Sequence, residues 1–272
     1  MKFLTLNTHS WMEKDPQEKF RLLLQDILEQ DYDLICFQEI NQEISSILAE
    51  TDELYHSLPS AEPIHQDHYI YLLVQELKKA GREYYWTWAY NHIGYDRYHE
   101  GVGILSKNQI QAREILVSDV DDPTDYHTRR VALVETTVDG KDLAVASVHL
   151  SWWDKGFQEE WARFESVLTD LNKPLLLAGD FNNPAGQEGY QTILASPLSL
   201  QDAYEAAQER SGSYTVPPEI DGWKGNSEPL RIDYVFTTKD IQVKYLHVVF
   251  DGQNSPQLSD HYGLKTELIW KD

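Results

Sequence analysis

Apolar runs that stop on a polar side chain recur along this sequence. Residues 2–5 read as a short strand that leads straight into Asn7-Thr8-His9. Asp15, Pro16 and Glu18 then mark a helix start. Asp15 suits the N-cap, Pro16 the first helical position, and Glu18 completes a capping box. Phe20, Leu23, Leu24, Ile27 and Leu28 follow at helical spacing. Residues 33–37 form a buried type of strand ending in Gln38-Glu39, and Cys36 within it is expected to be a small buried residue.

The pattern continues with a helix through Ile70, Leu73, Val74 and Leu77 that stops near Gly81. Strands are expected at 84–89, 101–105 and 131–136, and Asp139-Gly140 is a hairpin turn into a strand at 143–149. A further helix carries Phe157, Trp161, Phe164, Leu168 and Leu171. Residues 174–177 form a strand that runs into Gly179-Asp180-Phe181-Asn182, and late strands lie at 232–236, 241–250 and 264–270. Residues 211–229, rich in Gly, Pro and polar side chains, read as a long loop of the kind that is usually functional or mobile. No internal repeat or long linker divides the chain, so residues 1–272 are expected to form one domain.

Composition narrows the function. With 41% hydrophobic and 12% aromatic residues the chain has material for a sizeable core, which argues against disorder. Its 23 basic and 45 acidic residues give a net charge of −22. Nucleic-acid affinity rests on Lys and Arg neutralising phosphates, so neither nucleic acid nor an anionic membrane is an expected partner. A single cysteine rules out an intramolecular disulfide. The N-terminus lacks the apolar stretch of a secretory signal, and no run has the length of a membrane span. A cytoplasmic location is expected.

Four apolar strands stop at Asn7, at Glu39, at His149, and at Asp180 with Asn182. Asp233 opens a fifth, and Asp260-His261 precedes the last. Strand ends along one sheet edge are where α/β folds build sites. The pieces LTLNTH, FQEIN, VHL, GDFNN, RIDYVF and LSDH, in this order and spread over nearly the whole chain, resemble the endonuclease/exonuclease/phosphatase superfamily. That resemblance implies an α/β fold: a four-layer sandwich of two mixed β-sheets packed face to face with helices outside.

It also implies roles. Glu39 would be the principal ligand of Mg²⁺ (or Mn²⁺), with Asn7 and Asp260 completing the metal site; hard oxygen donors suit such an ion. His261 would be the general base, held by Asp233, because an imidazole titrates near neutrality. Asp180 and Asn182 would hold the attacking water and a phosphoryl oxygen. His149 would donate to the phosphate, with Glu100 orienting it. A phosphate-binding arginine often precedes a strand in this family; Arg130 fits by spacing better than Arg129, and a plain ion pair is the alternative.

The loops hold Trp11, Tyr90, Tyr95, Tyr98, Tyr126, Trp152, Trp153 and Trp223 among carboxylates and amides. Such faces suit a sugar, with Tyr95 and Trp152 as expected contacts; alternatively they close the edges of the core. The strings NTHSW, YNHIGYDRYHEG, SDVDDPTDYHTRR, HLSWW, GDFNNPAG and EIDGW resemble a bacterial subgroup of the family, the maltose 6′-phosphate phosphatases. The expected function is therefore metal-dependent hydrolysis of a small phosphorylated sugar. The competing readings are a nuclease or nucleotide phosphodiesterase, a sphingomyelinase-like phosphodiesterase, and a binding protein with an inactive site.

Overall fold

The computed structural model describes residues 1–271. Its first half contains β1 (Lys2–Asn7), α1 (Pro16–Gln30), β2 (Leu34–Glu43), α2 (Tyr69–Lys79), β3 (Tyr85–Gly94), β4 (Tyr98–Ser106), β5 (Ile110–Leu116) and β6 (Arg130–Val138). There follow β7 (Lys141–His149), α3 (Phe157–Thr169), β8 (Leu175–Asp180), α4 (Glu188–Leu194), β9 (Leu200–Asp202), α5 (Ala203–Ala206) and β10 (Glu209–Ser211). The chain closes with β11 (Asp233–Thr238), β12 (Ile241–Val249) and β13 (Gly263–Trp270).

The strands form two mixed sheets. One has the order β10-β12-β13-β1-β2-β4-β3, the other β5-β6-β7-β8-β11-β9. Phe3, Leu34 and Ile104 of the first sheet pack against Val134, Val145 and Leu176 of the second, in the layer between them. The outer face of the first sheet is covered by α1 and α2 through Phe20, Leu23, Ile70 and Leu73. The second is covered by α3 and α4 through Phe157, Phe164 and Ile193. Each sheet thus buries both faces, the four-layer α/β sandwich that the motifs imply.

Strand direction decides what meets at the edges. β1 and β2 run parallel, as do β7 and β8. β11 is antiparallel to β8, and β13 to β1. The ends of β1, β7 and β8 therefore lie with the starts of β11 and β13 at one edge of the sandwich. No helix among the described residues is long and apolar enough to cross a membrane.

Two local expectations are corrected. Asp15 holds the N-cap position in a left-handed conformation (φ 56°), and its side chain caps nothing. Its carbonyl instead takes the amides of Glu18 and Lys19, and Glu18 pairs with Arg21, so no capping box forms. The strand carrying Glu39 does not stop there. It continues to Glu43 through a bulge between Phe37 and Ile40. β5, β9, β10 and α4 were not anticipated; β9 and β10 are three residues each, too short to show a period.

α2 is capped by His68, whose ring accepts from the amide of Tyr71 at 3.2 Å. An imidazole accepts only when neutral. Burial, and then the charge of nearby His65, push His68 from 6.5 down to about 3. The unfolded chain therefore binds a proton that the folded chain refuses, and this contribution to stability falls as pH drops from 6.5 towards 3. Urea unfolding at pH 7 and pH 5 should show the native protein losing about 2 kcal/mol more than His68→Asn over that interval. Equal losses in the two proteins would contradict this account of the cap.

Candidate active site

Of the polar strand-end residues, Glu39, His149, Asp180, Asn182, Asp260 and His261 line one cavity of about 280 Å³, and Asn7 and Asp233 lie buried behind them. Its floor is built from both sheets. Asn7 donates through Nδ2 to Glu39 Oε1 at 2.9 Å, and to Asp180 Oδ2 of the other sheet at 3.2 Å. His149 Nε2 lies 3.6 Å from Asp180 Oδ2 and 4.0 Å from Glu39 Oε1. His261 Nδ1 meets Asp233 at 3.0 and 3.2 Å, while its Nε2 faces Asp180 Oδ2 at 3.8 Å. Register explains these meetings: Asp180 pairs with His149 on one side and with Asp233 on the other.

Backbone strain concentrates here. Glu39 and Asn182 take φ of 52° and 50°, a region that L-residues enter at a cost. At Glu39 the strain accompanies the bulge, which re-aims the carboxylate into the cavity without ending the strand. Gly179 in the GDFN turn has φ 134°. A Cβ there would lie 2.2 Å from the Val148 carbonyl and 2.7 Å from Gln38 Nε2, so only glycine permits this approach. Tyr95 and Asp96, both at positive φ, turn β3 into β4 and set Tyr95 at the cavity wall.

Burial, then the charge of Glu100, push the Glu39 carboxyl up to about 7. Asp180 is also pushed up to about 7, first by burial, while the His261 charge opposes the shift. Burial would lower His261, but the carboxylates of Asp233 and Asp180 outweigh it and raise this group well above 6.5. His149 moves the other way, held well below 6.5 by burial and then by the Arg129 charge. The two imidazoles of the cavity are thus shifted in opposite directions.

Glu100 lines the cavity but faces His92, at 3.5 Å, and makes no contact within 4.0 Å of His149. The structure brings Arg129 to the cavity in place of Arg130. Arg130 opens β6, where successive side chains alternate in direction, and its guanidinium goes to Asp121 and the Tyr90 carbonyl. That is the ion pair held open as its alternative. Arg129 is 3% exposed, and its Nε and Nη1 have no hydrogen-bond partner among the described residues. Tyr95, Tyr126 and Trp152 line the cavity, whereas Tyr90, Tyr98 and Trp11 close the core.

Sequence reasoning passed over three further groups. His9 lines the cavity and is paired with Glu13 at 2.9 Å, with Asp260 3.8 Å away. Although burial opposes it, Glu13 and the charges of Glu39 and Asp260 raise His9 to about 9. Glu13 also accepts the Asp260 amide at 3.0 Å, which fixes the SDH turn. The signal was present as the His of NTH with a Glu four residues further on. His92, the third, carried no sequence signal beyond its string.

The arrangement of carboxylates around buried imidazoles at one edge of a two-sheet sandwich defines a class of phosphoester hydrolases. The chain belongs to the Endonuclease/Exonuclease/phosphatase family, which it matches over residues 11–261. Over 99% of its length and 100% of the other chain it is similar to a family protein from Leptotrichia buccalis, with 28% identity and a TM-score of 0.83. It also shares its fold with a mannosyl-6-phosphatase of Bacteroides thetaiotaomicron, at 15% identity and a TM-score of 0.68, covering 99% of this chain and 100% of that one. Nocturnin of Xenopus laevis is 26% identical over 155 residues, 52% of this chain and 35% of that protein. The aligned stretch therefore spans about a third of that relative's length.

Members of this family generally use divalent metal ions. Glu39 and Asp260 offer carboxylate oxygens to the cavity, the choice of a hard cation, while Asn7 turns its Nδ2 to Glu39 and Asp180. Glu39 is crowded by neighbouring carboxylates in a buried position, where added positive charge relieves the repulsion. Because Glu39 lies near 7, its proton must leave when a cation binds. Calorimetric Mg²⁺ titrations at pH 7, in buffers of different ionisation enthalpy, should show roughly half a proton released per ion. The release should fade at pH 9 and shrink in Glu39→Gln. Release unchanged in that variant would place the cation elsewhere.

Proposed function

We propose that this chain is a metal-dependent phosphatase that removes phosphate from a small phosphorylated sugar such as maltose 6′-phosphate. The observation that carries the proposal is the buried, unpaired guanidinium of Arg129 in a small walled cavity. In a chain of net charge −22, such an arginine is a receptor kept for an anion. Around it stand Tyr95, Tyr126 and Trp152, with the carboxylates of Glu100 and Asp221. Aromatic faces stack on a sugar ring, and carboxylates accept its hydroxyls. At about 280 Å³ the cavity lies at the small end for ligand sites, which suits phosphate together with the one ring that bears it. The same fold carries a mannosyl-6-phosphatase.

Glu39, Asn7 and Asp260 would hold Mg²⁺ or Mn²⁺. When bound, such an ion neutralises phosphate charge and stabilises the leaving oxygen. Arg129 and His149 hold the non-bridging phosphoryl oxygens. Asp180 and His261 Nε2 address the attacking water, and His261 takes its proton while Asp233 stabilises the imidazolium. Water attacks phosphorus in line, the P–O bond to the sugar breaks, and the sugar oxygen leaves and takes a proton from solvent to become a hydroxyl, while His261 returns its proton to solvent. Inorganic phosphate and the free sugar result, with no covalent enzyme intermediate.

A phosphate-release assay across sugar phosphates, nucleotides, single-stranded nucleic acid and sphingomyelin tests the substrate class. Sugar phosphates should be preferred, and chelation should abolish turnover. His261→Ala should cost on the order of 10²–10⁴-fold in kcat, the usual worth of a general base. Arg129→Gln should lower kcat/KM by about 10²-fold, with Arg130→Gln close to the native enzyme. Turnover of nucleic acid far above any sugar phosphate, or full activity in His261→Ala, would overturn the proposal.

A further inference from the structure

The loop between β10 and β11 reaches the cavity through three consecutive residues, each touching a different part of the site. Asp221 accepts from the Tyr95 hydroxyl at 3.5 Å. Gly222, at φ 79°, lies so close to Trp152 that a Cβ would sit 2.6 Å from Cζ2 of the indole. Trp223 donates through Nε1 to Asn182 Oδ1 at 3.2 Å. The indole is anchored behind this contact by Val216, Ile220 and Ile232, a small apolar cluster separate from the main core. Any large apolar side chain would serve that cluster, so the N–H aimed at a site amide is what the packing leaves unexplained.

Asn182 is 3% exposed and lines the cavity. Its Nδ2 donates to the Leu150 carbonyl at 3.0 Å, and its backbone amide donates to Asp180 Oδ1 at 2.9 Å. An indole N–H can only donate, and a carbonyl can only accept. Turning the amide over would set N–H against N–H at Trp223 and oxygen against oxygen at Leu150. The first mismatch would be partly buried and the second fully buried, where an unmade hydrogen bond is costly. One Nδ2 hydrogen remains after these bonds are made.

We infer that Trp223 is a positioning residue for the reaction: it fixes the Asn182 amide so that the remaining Nδ2 hydrogen is offered to the phosphoryl group. The loop that walls the cavity is thereby tied to the turnover step as well as to substrate fit. This rests on the reading of Asn182 as a residue that faces phosphate.

The test uses Trp223→Phe, which keeps the ring and loses the N–H, assayed on whichever phosphomonoester the native enzyme turns over best. The kcat should fall about tenfold with KM changed less than about threefold, the size expected for one directed hydrogen bond. In an Asn182→Ala background the same substitution should add less than about twofold, since the two act through one contact. Ile220→Ala loosens the same apolar cluster without touching Asn182, and should leave kcat near the native value. Asn182→Asp keeps the acceptor for Trp223 but removes the Nδ2 hydrogens, and should lose turnover as Asn182→Ala does. Unchanged kcat in Trp223→Phe beside an impaired Asn182→Ala would overturn the inference alone. So would an Ile220→Ala loss as large as that of Trp223→Phe, or native turnover in Asn182→Asp. Full activity in Asn182→Ala would overturn the role of Asn182 itself, and the inference with it.

Discussion

Gln38 lies fully buried between the two sheets, donating through Nε2 to Ser147 Oγ of the second sheet at 2.9 Å and to Thr5 Oγ1 of its own at 3.3 Å. Ser147 returns a bond to the Phe37 carbonyl, also at 2.9 Å. A hydrogen bond of this kind contributes about 1 kcal/mol net, but leaving its partners unmade would cost more. Apolar packing holds two sheets together without fixing how far one slides on the other; a directed polar contact removes that freedom. Asn7 to Asp180 and His261 to Asp233 repeat the device a few residues away, again from sheet to sheet. The absent side chain of Gly179 is what lets Gln38 approach.

On that floor the electrostatics separate by position. Carboxylates crowd the Glu39 side, where Glu100 and Asp260 raise the Glu39 carboxyl after burial has done so. On the opposite wall Arg129 stands without a carboxylate partner and depresses neighbouring His149. His261, set between two aspartates, is stabilised in the imidazolium form that it reaches on taking a proton. Arg129 is therefore a fixed positive charge in the cavity lining, although the protein as a whole repels an anion.

Much of this was legible in the sequence because the family's pieces are strand ends, and strand ends are marked by a change from apolar to polar. Asn7, His149, Asp180 and Asp233 fall where that change occurs and converge in the structure. What was not legible depends on backbone direction. The bulge at Glu39 adds a residue without a signature, so β2 was read as ending where it bends. Arg129 and Arg130 differ only in which side of a strand entrance they take, and no composition records that. Glu100 turns to His92 because two strands set these residues opposite each other, a pairing register that one chain read alone does not disclose. Asp15 has the right side chain for a cap and the wrong backbone conformation to use it.

The split origin of the floor has a mechanical consequence. Asn7 and Glu39 ride on one sheet; His149, Asp180 and Asp233 ride on the other. The spacing between these groups is therefore a vernier of how the sheets are aligned, and the layer between them is its bearing. Ala132 and Ala178 keep that bearing thin. Enlarging either would disturb that packing and shift one half of the constellation relative to the other. The alignment of the site thus depends on packing deep beneath it, in residues that do not line the cavity.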